Sequence, residues 1–171
     1  EIVLRTTGRT PRWCAGSILY TRRADGDLIE VRLTGLESAS DEVLMTRDLS
    51  AAPASERTLT ALPLDRASCD WIIAGTFGAE SWLLHRQSRA LFPLEQGVGG
   101  LIDVSPESIV YWSEVGRNTL VRRTALDLSA PRSDLLLTLT GRGFSFERLA
   151  DRREWVILNA ASELFYCDED T

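Results

Sequence analysis

Ile18-Leu19-Tyr20-Thr21-Arg22-Arg23-Ala24-Asp25-Gly26-Asp27-Leu28-Ile29-Glu30-Val31-Arg32-Leu33 is the stretch on which the fold turns. Two short apolar runs flank Ala24-Asp25-Gly26-Asp27, and Asp-Gly between such runs is hairpin-turn chemistry. Apolar and polar residues alternate from Ile29 to Leu33, the period of a half-buried strand. No segment holds a clean 3.6-residue period over three turns. The best helix candidate, 125–139, contains Pro131 and reads better as strand, turn, strand. The chain is therefore expected to be all-β.

The same hairpin recurs three more times. Trp71-Ile72-Ile73-Ala74 is followed by a turn around Phe77-Gly78-Ala79 and then by Trp82-Leu83-Leu84. Ile109-Val110-Tyr111-Trp112 is followed by Val115-Gly116-Arg117-Asn118 and then by Leu120-Val121-Arg122. Trp155-Val156-Ile157-Leu158 is followed by Ala160-Ala161 and then by Leu164-Phe165-Tyr166. The gaps hold further strands: Glu42-Val43-Leu44-Met45, Thr58-Leu59-Thr60-Ala61-Leu62, Gly100-Leu101-Ile102-Asp103-Val104, Leu135-Leu136-Leu137-Thr138-Leu139 and Gly143-Phe144-Ser145-Phe146. A repeat of roughly 45 residues suits a four-stranded unit that cannot bury both faces alone. Each unit reads as the blade of a β-propeller, with blades at about 9–49, 57–94, 98–139 and 143–168.

At these residues the pattern resembles the TolB-like, or WD40-like, propeller repeats of bacteria. Val104-Ser105-Pro106-Glu107-Ser108 before Ile109 is similar to that family's "Ser-Pro-Asp-Gly" turn, with Glu for Asp. Ala150-Asp151-Arg152-Arg153 is an eroded version, and Leu126-Asp127-Leu128 falls where the family's terminal Asp-Leu lies. The second unit keeps only the strand spacing. The resemblance implies one propeller of about four four-stranded blades, and the phase of the strands has Ile2-Val3-Leu4-Arg5-Thr6 supply the fourth strand of the last blade. Four blades of a longer ring, and an antiparallel sandwich or barrel, remain as alternatives.

The chain has 171 residues, 19 basic and 25 acidic, for a net charge of −6. All its basic residues are Arg, which excludes Schiff-base lysines, lysine nucleophiles and a Lys-containing phosphate loop. The net charge argues against nucleic acid as partner, since such binding rests on neutralising phosphates. No apolar run reaches 18 residues, so no membrane-spanning helix is expected. Glu1-Ile2-Val3 is neither an initiator Met nor a signal peptide, and the chain reads as a processed or excised piece of something longer. Cys14, Cys69 and Cys167 are odd in number with no close pair, which reads as buried free thiols and leans to a reducing, cytoplasmic compartment. TolB-like relatives, by contrast, are often periplasmic. With one histidine and no Cys-x-x-Cys, no metal site and no cofactor are expected.

His85 has no second His and no triad motif beside it, so it reads as a strand histidine. Ser105-Pro106-Glu107 reads as a turn. Asp25-Gly26-Asp27 lacks the remaining oxygens of a calcium loop and also reads as a turn. Gly97-Val98-Gly99-Gly100 has no Lys-Ser/Thr after it and reads as a connection where backbone approaches closely. The residues singled out for binding are Arg22 and Arg23, Arg122 and Arg123, which look like matching pairs in two blades and suit carboxylate or phosphate. Trp82 and Trp112 are the candidates for exposed anchors, whereas Trp71 and Trp155 read as core.

These readings point to a non-enzymatic propeller that binds another protein or peptide through its loop faces. The longest polar connections, Thr34 to Asp41 and Ser50 to Arg57, are expected to be part of the contact surface. The alternatives are an accessory propeller of a hydrolase or peptidase, and a propeller that binds a carbohydrate or small ligand.

Overall fold

The computed structural model describes residues 9–36, 40–53, 58–76, 80–94, 97–129, 131–149 and 154–168. Among them the regular structure is entirely β. The first sheet runs β1 (Arg9–Cys14), β2 (Ser17–Arg23), β3 (Leu28–Gly35) and β4 (Asp41–Asp48). The second runs β5 (Leu59–Pro63), β6 (Trp71–Thr76), β7 (Ser81–His85) and β8 (Leu91–Leu94). The third holds β9 (Gly100–Val104), β10 (Ser108–Val115), β11 (Asn118–Ala125) and β12 (Ser133–Thr140). The fourth holds β13 (Ser145–Arg148), β14 (Glu154–Leu158) and β15 (Leu164–Asp168). Within every sheet each strand pairs antiparallel with the next in sequence.

Local chemistry accounts for the hairpins. The Leu28 amide donates to the Asp25 carbonyl at 2.9 Å, and Gly26 sits at φ +53, where a residue without Cβ is unstrained. That turn sets the register Tyr20 opposite Arg32 and Arg22 opposite Glu30. Along β3, Ile29, Val31 and Leu33 form the buried apolar face, and Arg32 is buried on the other. Ser105 closes its turn as the sequence implies: its amide donates to the Ser108 carbonyl at 2.9 Å and its Oγ accepts from the Ser108 amide at 3.0 Å.

The chain divides into two compact units, residues 1–97 and 98–171. In the first, one core joins both sheets: Leu19, Val31, Leu33 and Leu44 with Leu59, Ile72, Trp82 and Leu84. In the second, Val110, Val121 and Trp155 are the buried centre, with Ile102, Trp112, Leu137 and Phe146 against them.

Three expectations need correction or extension. Cys14 and Cys69 are buried but are not free thiols; they form a disulfide with Cα atoms 5.2 Å apart. Beside it the Ala15 amide donates to the Arg66 carbonyl at 2.9 Å, so the β1–β2 turn is tied to the β5–β6 connection. The two cysteines are 55 residues apart, Cys14 at the end of β1 and Cys69 in the β5–β6 connection, a proximity that spacing along the chain does not reveal. The basis for leaning to a reducing compartment is thereby removed. Second, β8 completes the second sheet where sequence singled out no strand. Pro93 hides it, since proline is confined to edge strands and β8 is one. Third, the last sheet has three described strands; residues 2–6, expected to complete it, lie outside the described residues. On β15, Leu164, Phe165 and Tyr166 are exposed.

Candidate functional site

The first unit carries a cleft at one end of its strands. Arg9 opens β1, Arg22 and Arg23 close β2, Ile29 lies near the start of β3, and Thr58 and Leu59 lead into β5. Together with Thr21 they line a volume of about 300 Å³. The opposite end of β1 is Cys14, held by the disulfide, so the two sheets that flank the cleft are covalently joined at β1's far end. Buried Ile29 and Leu59 give the cleft an apolar floor. Its described lining carries three guanidinium groups and no carboxylate. The β1–β2 pairing is irregular between Arg9 and Arg12, and Thr10 takes φ +50 there. The Thr21 hydroxyl donates to the Arg9 carbonyl at 3.4 Å and ties β1 to β2 beside the cleft.

Behind Arg22 runs a chain of charges on the same sheet. Arg22 Nη2 meets Glu30 Oε2 at 3.1 Å, and Arg32 Nη1 donates to that same oxygen at 2.6 Å. Arg32 also grips Asp41 through Nε at 3.1 Å and Nη2 at 2.8 Å. Tyr20 Oη donates to Asp41 Oδ1 at 2.9 Å, and Thr34 Oγ1 donates to it at 3.1 Å. The guanidinium of Arg32, and then the Tyr20 and Thr34 hydroxyls, hold the Asp41 carboxyl below the ordinary carboxylate range. Asp41 in turn holds Arg32 above its usual value. Burial, followed by the Asp41 hydrogen bond, raises the Tyr20 phenol.

Each residue singled out from sequence has a definite place. Arg22 and Arg23 line the cleft. Arg122 and Arg123 do not occupy the matching place: they lie half-buried within β11, the third strand of its sheet, opposite Leu135 and Asp134. The first pair precedes its hairpin turn and the second follows one, a distinction the turn positions alone leave open. Trp82 is not an exposed anchor. Its side chain is in the core at 5% exposure, with the Arg47 guanidinium 4.1 Å from the ring centroid. It borders a second, shallower cleft of about 420 Å³ with Arg47, Glu80, Ser81, Pro93, Leu94 and Gly97. Trp112 is half-buried and stacks on Phe146 at 6.3 Å between centroids, so it too serves its own unit's packing. Trp155 is buried as expected. Trp71 is only half-buried, packed on His85 and Phe92, because the next residue, Ile72, takes the inward place.

The His85 ring lies 4.8 Å from that of Trp71, and its Nδ1 accepts from the Ser88 amide at 3.3 Å and contacts Ser88 Oγ at 2.8 Å. That geometry fastens the turn from β7 to β8. The close backbone approach read into the glycine run is real: a Cβ on Gly100 would come within 2.7 Å of Trp112 Nε1. The cleft residue missed from sequence is Arg9, an isolated arginine whose nearness to Arg22 and Arg23 follows only from β1 pairing with β2.

Successive antiparallel sheets, each an up-and-down meander with its loops at the strand ends, place this chain among all-β proteins built from repeated blade-like units. In fold it is similar to TolB from Acinetobacter baumannii, with a TM-score of 0.54, 14% identity, and coverage of 96% of this chain and 41% of that one. The chain thus spans about two fifths of the length of the TolB chain it matches. At that identity the likeness is one of fold. No protein-family model matches the chain, and no curated protein matches it.

Proposed function

We propose that this chain is a non-enzymatic β-propeller scaffold whose four sheets are consecutive blades, and that it binds another protein or peptide through the loops at its strand ends. The observation that carries this reading is the arginine-lined cleft, open at one strand end between two sheets that share a core and a disulfide. Loops on a rigid scaffold are where recognition concentrates. The likeness to TolB in fold supports a scaffold of this kind. The Cys14–Cys69 bond supports an oxidising compartment, where such bridges persist.

Site-specific photo-crosslinking in the native host tests the reading. A crosslinker at exposed Asp25 or Ala51, both in loops, is expected to capture one discrete protein partner. A crosslinker at exposed Thr138, within β12, is expected to capture none. Equal capture at all three positions, or none at the loops, overturns it.

A further inference from the structure

We infer that the Arg9–Arg22–Arg23 cleft is a carboxylate-binding site whose ligand is a short acidic peptide segment; this names the partner's chemistry and rests on the scaffold reading above. Arg22 and Arg32 face Glu30 and Asp41, two cations against two anions, so that group is neutral as a whole. Arg9 and Arg23 make no ion pair among the described residues. Among the described residues two positive charges are therefore left at the mouth of a cleft in a chain of net charge −6. Arg22 Nε is shut from water without a hydrogen-bond partner, although the side chain as a whole is 38% exposed. A buried donor left unpaired is costly, and a guanidinium that turns toward an entering anion gains the missing bond.

The walls distinguish carboxylate from phosphate. Phosphate sites are commonly built from backbone amides at helix N-termini or in nests. Here the cleft strands engage one another in ladders, with Thr21 paired to Arg9, Arg22 to Glu30 and Arg23 to Ile29. What the cleft offers is planar guanidinium forks, which match carboxylate and phosphate alike, above an apolar floor that a free phosphate leaves unused. The apolar floor of Ile29 and Leu59 suits the methylene groups of Asp, Glu or a neighbouring aliphatic residue. A volume of about 300 Å³ is at the small end for ligand sites and fits a side chain or a chain end.

The test is fluorescence anisotropy with the full chain and a labelled peptide of alternating Glu and Leu. The acidic peptide is expected to bind, its Gln counterpart to bind at least tenfold more weakly, and added salt to weaken the complex. Arg9→Ala combined with Arg23→Ala is expected to weaken binding at least tenfold with an unchanged melting temperature, since both side chains are exposed. Arg117→Ala, at an exposed position of the other unit, is expected to change nothing. Competition separates the sources of the anion. A free dicarboxylate such as succinate is expected to displace the peptide only weakly and inorganic phosphate not at all. Displacement by phosphate as strong as by succinate, equal binding of the Gln peptide, or full binding by the double variant each overturns the inference. Failure here with a partner still crosslinked at the loops leaves the scaffold standing. Peptide binding without any crosslinked partner leaves the cleft and removes the scaffold.

Discussion

Gly100 shows how one hydrogen atom decides the packing of β9. Its backbone passes so near the Trp112 indole that any Cβ meets ring atoms, Nε1 foremost. Gly99 lies against the same ring. The ring is pinned in turn by Phe146, so it has little room to withdraw. Gly100→Ala is therefore expected to cost about 2 kcal/mol, the scale of overpacking a filled site. Urea unfolding should show a lower midpoint at an unchanged slope. The glycine run was legible in sequence as a close approach, but its contact was not: nothing in the chain between 100 and 112 names the ring that fills the space.

At the scale of the element, the pairing of β3 with β4 depends on charge as much as on apolar alternation. Arg32 lies on the face of β3 opposite Ile29, Val31 and Leu33, and Asp41, the first residue of β4, answers it with both oxygens. A carboxyl held below its ordinary pKa binds its proton less readily folded than unfolded. Its stabilisation is full above the unfolded value of about 3.9 and is lost as pH falls through the folded one. Asp41→Asn is expected to be less stable at neutral pH and to lose less on acidification below pH 4. Urea midpoints between pH 7 and pH 2.5 read both effects; parallel acid limbs in the two proteins would exclude a role for Asp41. The hairpins themselves were legible, because Asp25-Gly26 and the alternation after it are local signals. β8 was not, since Pro93 speaks against a strand except at an edge, and edges are known only once the sheet exists. The arginine pairs were misaligned for a related reason. Each lies near a turn, but which arm of the hairpin holds it depends on the neighbouring turn's boundaries. Trp82 was misplaced because a strand tryptophan reads alike from either face until the sheet shows which one is covered.

At the scale of the molecule, the disulfide is the feature that sequence concealed and stability reveals. It closes a loop with a sequence separation of 55 residues. Chain-entropy arguments put such a bridge at about 4 kcal/mol. Cys14→Ser, or reduction of the native protein, is expected to lower the unfolding free energy by about that amount, read as a lower urea midpoint. A loss below about 1 kcal/mol would show that the shared core of the first unit suffices without it.

The same bond changes what a cut in the backbone means. Between Cys14 and Cys69 the chain is a closed covalent ring, and a ring opened once is still one piece. With no lysine present, trypsin can act only at arginines, among them Arg22, Arg23, Arg32 and Arg47 inside the ring and Arg86 and Arg89 beyond it. A single nick inside leaves one band on a gel run without thiol and two bands with it, whereas a nick at Arg86 or Arg89 separates the pieces in either case. Part of the first unit can thus be severed in sequence and still held together in substance.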